Sequence, residues 1–314
     1  MRGSIIVPCY NEEAVIGITY DRIKNVITNI SGVSFEIIFI NDGSTDQTLN
    51  VLNVIAQRDK NVKILNFSRN FGHQPAVSAG IQFCSGDIAI IMDADLQDPP
   101  ELIPEMIAIH LNEKANVVYA VRKRRKGESV WFKLSAKVFY KFINYLSDIP
   151  LPLDSGDFRL IDKRIMKEFK ALKEKRKYVR GLIAFIGYKQ VPLPYERDAR
   201  FAGKTKYPFL KLWALAKNSL IYFTKKPLGM AVTTGFISIL IGLVFIVYIF
   251  IRKYNNSIPI PGWASTAVLI VFSGGVQLLT IGVIGEYIGS MFEEIKGRPE
   301  YIISDIIEGA EEKR

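Results

Sequence analysis

The stretch Gly86-Asp87-Ile88-Ala89-Ile90-Ile91-Met92-Asp93-Ala94-Asp95-Leu96-Gln97-Asp98-Pro99-Pro100 decides how this chain folds. An apolar run of strand length ends in carboxylates and an amide, then stops at two prolines. A strand without polar alternation is buried on both faces, the habit of parallel sheets covered by helices. Charge is tolerable only at its tip, where the backbone leaves the sheet. Pro99-Pro100 cannot continue a ladder, and they lead into a helix from Glu101 onward.

The same alternation runs outward from this point. Strands are expected at Ser4–Val7, Phe35–Ile40, Val62–Leu65, Asp87–Met92 and Val117–Ala120, with helices at Glu12–Ile30, Thr45–Arg58 and Gln74–Phe83. This predicts an α/β domain with a mostly parallel sheet and helices on both faces. Such sheets bind ligands beyond the carboxyl ends of their strands. Here those ends read Pro8-Cys9-Tyr10-Asn11-Glu12, Asn41-Asp42-Gly43-Ser44, Phe67-Ser68-Arg69-Asn70 and Asp93-Ala94-Asp95. No G-x-G-x-x-G follows the first strand. Gly203-Lys204-Thr205 mimics the end of a phosphate-binding loop, but Asp198 stands where its upstream glycine belongs. Carboxylates hold a phosphate only through a divalent cation. One of Asp93 and Asp95 can take a ribose hydroxyl or a metal-bound water while the other takes the metal, and Gln97 can add a neutral oxygen. Mg²⁺ or Mn²⁺ would then stabilise a diphosphate leaving group. A lone D-x-D also occurs in solvated turns, so the pair alone does not name the chemistry.

The chain has 314 residues, 49% hydrophobic, with a net charge of +10. Cys9 and Cys84 are its only cysteines, so neither a disulfide framework nor a zinc site is expected, and a reduced cytoplasmic setting fits. The run Ile5-Ile6-Val7 is too short for a signal peptide. Leu228–Ile251 and Trp263–Gly285 are uncharged runs of about 24 and 23 residues, each long enough to span a bilayer. Lys211, Lys217, Lys225 and Lys226 precede the first; Lys296 and Arg298 follow the second. This bias places both termini and the main domain in the cytoplasm. The expected divisions are a catalytic domain at 1–206, a juxtamembrane helix at 207–226, a two-span hairpin at 227–290 and a cytoplasmic tail at 291–314. Val130–Ile149 and Pro208–Phe223 mix aromatics with lysines and suit helices lying in the headgroup plane. The basic run Arg122–Lys126 has no interleaved stacking aromatics, so an anionic membrane surface is the expected partner and nucleic acid is not.

The set IVPCYNEE, INDGSTDQT, LNFSRNFGHQPAVSAGI, DADLQDPPE, SGDFRLID and FAGKTKY resembles the inverting family-2 glycosyltransferases of the GT-A (Rossmann-like) fold. Within them the order is similar to the polyprenyl-phosphate hexosyltransferases, most of all the bactoprenol glucosyltransferase branch. The resemblance covers essentially the whole chain. It implies that Pro8, Tyr10, Asn11, Glu12 and Asp42 hold the nucleoside, with Asp93 beside them on the nucleotide sugar. It implies Asp93, Asp95 and Gln97 at the metal, and Asp157 at the position usually assigned as catalytic base. Arg122, Arg200, Lys204 and Lys206 match or neighbour phosphate-facing positions, with Arg159 a weaker candidate. Contact of His73 with the donor is a further expectation. The implied reaction moves a hexose, glucose from UDP-glucose, to undecaprenyl or another polyprenyl phosphate at the inner membrane. GDP-mannose, UDP-N-acetylhexosamine or an aminopentose donor are alternatives, as is a non-catalytic scaffold. The resemblance also implies a homo-oligomer, up to a tetramer, and a flippase partner. A lipid monophosphate has a second pKa near 6 and is already a nucleophile at neutral pH, so Asp157 can position the acceptor instead of deprotonating it.

Overall fold

The structure is a computed structural model and describes residues 1–122, 155–175, 177–196, 226–254 and 262–310. Arg200, Lys204, Lys206, basic residues 123–126 and the two expected interfacial helices lie outside the described residues. The chain divides into two compact units, a sheet domain that includes the residues from Gly297 onward and a helical unit.

The sheet domain comprises β1 (Arg2–Cys9), α1 (Ile16–Thr28), β2 (Ser34–Asn41), α2 (Thr48–Arg58), β3 (Val62–Phe67), α3 (His73–Phe83), β4 (Ile88–Ile91), α4 (Ile103–Glu113), β5 (Val117–Arg122), β6 (Ser155–Asp162), α5 (Lys163–Ala171), α6 (Val179–Ile186), β7 (Gln190–Tyr195) and β8 (Ile303–Glu308). The sheet has eight strands in the order β7-β5-β6-β4-β1-β2-β3-β8. The pairs β1/β2, β1/β4, β2/β3 and β5/β7 are parallel. The pairs β4/β6, β5/β6 and β3/β8 are antiparallel. The sheet is therefore mixed, because β6 and β8 enter it from the carboxyl edge of their neighbours.

Both faces are covered, which is why β1, β2 and β4 read as unbroken apolar runs. Ile5, Val7, Ile37, Phe39, Ile64 and Ile90 join one core with Ile16 and Ile23 of α1, Leu52 of α2 and Met106 of α4. Ile6 and Ile40 point to the other face and meet α3. A side chain at Gly80 of α3 would overlap Ile6, so glycine there lets the helix lie close on β1.

The helical unit holds α7 (Lys226–Tyr254) and α8 (Trp263–Ile295), of 29 and 33 residues. At 1.5 Å per residue both exceed the ~30 Å hydrocarbon core. Their apolar windows, Leu228–Phe245 and Phe272–Ile295, have mean hydropathies of 2.2 and 1.3 and bury nothing against protein. Phe236, Leu240, Leu278 and Leu279 all stand exposed. These are two helices long and apolar enough to cross a membrane.

The C-terminal residues differ from the tail expected at 291–314. Helix α8 runs past the apolar stretch to Ile295, and Gly297 follows its end with φ +61. A glycine past the last turn followed by Pro299 is a helix stop, since glycine accepts the left-handed conformation and proline cannot continue the helix. Ile303–Glu308 then adds to β3 as an edge strand of the sheet domain. Its Asp305 accepts from Asn66 Nδ2 at 3.3 Å and its Glu308 pairs with Lys63 at 3.0 Å, both across to β3.

Candidate functional site at the carboxyl edge

The tips of β1, β2 and β3 lie level, with Cys9 paired to Asn41 and Asn41 to Asn66. The loops beyond them are tied together by side chains. Asn11, at φ 54, accepts the Thr45 amide at 2.8 Å and donates its own amide to Ser44 Oγ at 3.0 Å. The Glu12 amide donates to Thr48 Oγ1 at 2.9 Å. Gly43 has φ +62, and a Cβ there would overlap the backbone of Arg69 and Asn70, so only glycine fits. Pro8 is buried inside β1 beside Ile40, whereas Tyr10 is exposed at the tip. Asp42 is buried and accepts the Phe71 and Gly72 amides at 2.7 and 2.9 Å. Burial raises its carboxyl above the ordinary range, and the two amide donors offset only part of that. Asp42 thus braces the loop between β3 and α3, whatever else it contacts.

Beyond β4 the burial alternates. Asp93, Asp95 and Gln97 are partly open while Ala94, Leu96 and Asp98 are buried. The three groups expected at a metal are thus the less buried members of this segment, and of them Asp93 alone joins a cluster with His73 and Asp157. Leu96 takes φ 60, unusual for a leucine. The Gln97 amide donates to Asp95 Oδ1 at 3.2 Å, and buried Asp98 accepts Tyr195 Oη of β7 at 2.7 Å.

Asp157 comes to the same place through the antiparallel register of β6. Ile91 pairs with Arg159. Continuing that register by two residues brings Asp157 level with Asp93. The Asp157 carboxylate is gripped by Arg180 of α6, whose Nε donates to Oδ1 at 2.6 Å and whose second guanidinium nitrogen donates to Oδ2 at 2.8 Å. His73 Nε2, at the start of α3, lies 3.0 Å from Asp157 Oδ2 and 3.6 Å from Asp93 Oδ1. One ligand atom from each of His73, Asp93 and Asp157 fits within 4.8 Å of the others.

The charges set one another's protonation. Burial opposes the charge on Asp157, but Arg180 and His73 outweigh it and hold its carboxyl well below the usual range. Burial alone would lower His73; Asp157 and Asp93 overcome it and raise the imidazole to about 9. Asp93 is pushed up to about 6, chiefly by burial, with His73 opposing and Asp98, Asp157 and Asp95 adding repulsion. At neutral pH the cluster holds an imidazolium and a guanidinium against Asp157 and a readily neutralised Asp93.

Arg159 corrects its sequence assignment. It is buried under Asp157 and donates to the backbone carbonyls of Asp157 and Gly156 at 3.4 and 3.0 Å. It supports the strand instead of facing a phosphate. Arg122 ends β5 and is partly open. Arg180 was absent from the sequence assignment, because its segment Lys177-Tyr178-Val179-Arg180-Gly181-Leu182 carries no motif and meets Asp157 only in the fold.

The sheet, its acidic edge and the paired carboxylates define a class. Residues 4–169 match glycosyl transferase family 2, and the chain belongs to that family. An uncharacterized glycosyltransferase of Bacillus subtilis (strain 168) is 44% identical over 311 residues, 99% of this chain and 95% of its own length. The SfII prophage-derived bactoprenol glucosyl transferase of Shigella flexneri is 37% identical over 307 residues, 96% of this chain and 97% of its own. Among solved structures, glucosyl-3-phosphoglycerate synthase from Mycobacterium tuberculosis with Mn²⁺, uridine diphosphate and phosphoglyceric acid aligns at 20% identity over 70% of this chain and 76% of its own, with a TM-score of 0.48.

Proposed function

We propose that this chain transfers glucose from UDP-glucose to a polyprenyl phosphate at the cytoplasmic face of the membrane, with inversion at the anomeric carbon. The observation that carries this reading is the state of Asp157. Both its oxygens are engaged by Arg180 and His73, and its carboxyl sits well below the ordinary range. A carboxylate held this way is a weak base. A hydroxyl acceptor needs a base; a phosphate monoester, with a second pKa near 6, does not. Relatives called bactoprenol glucosyl transferase, similar over nearly the whole chain, support the same acceptor.

In this reading an acceptor phosphate oxygen forms a bond to the anomeric carbon. The bond from that carbon to the donor diphosphate breaks, and the electron pair leaves with the nucleoside diphosphate. Tyr10, Asn11, Glu12 and Asp42 surround the nucleoside at the tips of β1 and β2. Asp93, Asp95 and Gln97 offer partly exposed oxygen donors, a set that suits Mg²⁺ or Mn²⁺. When bound there, the ion supplies positive charge to the departing diphosphate. Asp157, fixed by Arg180, orients the acceptor. Arg122, Arg200, Lys204 and Lys206 are the assigned phosphate contacts.

Two features support the cytoplasmic placement. Lysines and arginines flank both outer ends of the helix pair. Two membrane-length helices, with windows Leu228–Phe245 and Phe272–Ile295, also return the chain to the side it left.

The test is transfer in detergent. Purified protein, undecaprenyl phosphate and Mg²⁺ receive one of several radiolabelled nucleotide sugars. Label from UDP-glucose is expected in the organic phase. Lipid-linked label from another donor would overturn the choice of sugar. Absence of lipid-linked label with every donor, despite intact UDP binding, would overturn the acceptor.

A further inference from the structure

The loop Ser68–Gly72 joins β3 to α3 and delivers His73 to the site. At its end Gly72 takes φ +107, a conformation that side-chain-bearing residues rarely adopt, and its carbonyl accepts the Ala76 amide of α3 at 3.2 Å. Besides the packing of Gly43 on Arg69 and Asn70, two sets of hydrogen bonds and ring contacts reach it from elsewhere in the chain. One is Asp42, through the amides of Phe71 and Gly72. The other comes from more than two hundred residues away, from the segment that leads from α8 into β8.

That second grip is specific. Tyr301 lies flat on Phe67, with ring centroids 5.1 Å apart and planes 6° from parallel. Phe67 meets Phe71 edge-on at 5.8 Å, and the Arg69 guanidinium covers the Phe71 ring at 4.1 Å. The Ser68 amide donates to the Ile302 carbonyl at 3.0 Å. On α3 itself, Ser78 Oγ donates to Glu300 at 2.8 Å. Residues 300–302 thus touch the end of β3 at Phe67, the start of the loop at Ser68 and the helix that His73 begins, and they reach Phe71 only through Phe67. None of these contacts belongs to the β3/β8 ladder proper, which pairs Lys63–Phe67 with Ile303–Glu308. Sealing the sheet edge and bracing the loop are therefore separable tasks, done by different residues of one segment.

We propose that Tyr301 is a positioning residue of the transfer site, setting the His73 loop through Phe67 and Phe71. The residues that follow the helix pair then complete the site that the N-terminal motifs begin. A chain severed between α8 and β8 would keep every motif residue and lose the placement of His73.

Two readouts on the full-length protein in detergent test this. The first is amide hydrogen exchange over residues 68–73 without substrate, which does not depend on the proposed reaction. Tyr301→Ala is expected to speed exchange there about tenfold, and Tyr301→Phe, which keeps the stack, to leave it at the wild-type rate. Ile307→Ala serves as the edge control, because Ile307 packs on the core away from the loop. It is expected to lower thermal stability without altering exchange at 68–73. The second readout is kinetic and rests on the glucosyl-transfer reading. Tyr301→Ala is expected to lower kcat about fivefold with KM for UDP-glucose within about twofold, and Tyr301→Phe to restore kcat. Wild-type exchange at 68–73 in Tyr301→Ala would overturn the proposal, as would equal loosening by Ile307→Ala. Should the alanine variant not accumulate, Tyr301→Leu tests the stack while keeping apolar cover over Phe67, with the same expectations at smaller size. If the wild type transfers no glucose, the exchange data still judge Tyr301, and only the reaction falls.

Discussion

The two sides of the site are built by different means. Around β1, β2 and β3 the functional groups lie in short contiguous motifs, and hydrogen bonds between neighbouring loops hold them: Asn11 to Thr45, Glu12 to Thr48, Asp42 to Phe71 and Gly72. Around Asp157 the groups come from β6, α6 and α3, and charge holds them together. Amide hydrogen bonds are about 1 kcal/mol each and largely independent. A buried ion cluster is different, because removing one member strands the rest. The nucleotide side should therefore tolerate the loss of any one hydrogen bond, though not a steric clash, and the Asp157 side should not tolerate the loss of a charge.

The sharpest way to break that contrast is Asp157→Asn. Turnover is expected to fall about 10³-fold while UDP binding, by calorimetry, stays within about threefold. Near-normal turnover would remove Asp157 from the mechanism. Next in size, Arg180→Gln is expected to lower turnover about 10²-fold and to destabilise the domain by about 2 kcal/mol, since it leaves Asp157 buried beside Asp93. Adding Asp157→Asn to Arg180→Gln should restore much of that stability in thermal melts. Strictly additive losses would mean that the two residues are not coupled.

On the nucleotide side, Gly43→Ala is expected to cost about 2–3 kcal/mol, because the left-handed backbone and the Arg69–Asn70 backbone both exclude a methyl group. A chemical-denaturation midpoint unchanged from wild type would contradict the close approach. The smallest effect is a pH dependence. The His73 imidazole is raised to about 9 in the folded protein, above its ordinary value of 6.5. Its contribution is therefore complete below about pH 6.5 and is lost as pH rises through 9. In EDTA, the melting-temperature gap between wild type and His73→Gln should be widest near pH 6 and close by about pH 9.5. A constant gap would show that His73 stabilises by packing alone.

Legibility in the sequence followed the same division. Strands β1 to β5 and helices α1 to α3 were readable because burial on both faces produces unbroken apolar runs separated by amphipathic helices. The D-x-D was readable because acids end a buried apolar run there, but it took its meaning from the other motifs around it. Strand β6, by contrast, carries Asp157 and Arg159 within Ser155–Asp162, a mixed pattern that signals no strand on its own. Its antiparallel direction and register cannot be deduced from that pattern. Arg180 sits on α6, whose apolar residues explain the helix but not the guanidinium. The destination of Ile303–Glu308 was not readable, since the sequence offers only a tail at 291–314. Ile303-Ser304-Asp305-Ile306-Ile307-Glu308 has no clean alternation, and six such residues name no partner edge.

The sequence by itself determined a two-sided α/β sheet, an acidic carboxyl edge with Asp93 and Asp95, two membrane-length helices and the family likeness. These follow from local periodicity, from the cost of burying charge and from the length of an uncharged run. Only the tertiary structure decided that Asp157 and Asp93 share one cluster with His73, that Arg180 and His73 hold the Asp157 carboxylate, that Arg159 donates to the carbonyls of its own strand, and that Tyr301 stacks on Phe67. Each of those depends on strand register or chain return. Contacts of that kind form between residues distant in the chain, and the sum of packing across the whole sheet selects them, not the preference of any one segment.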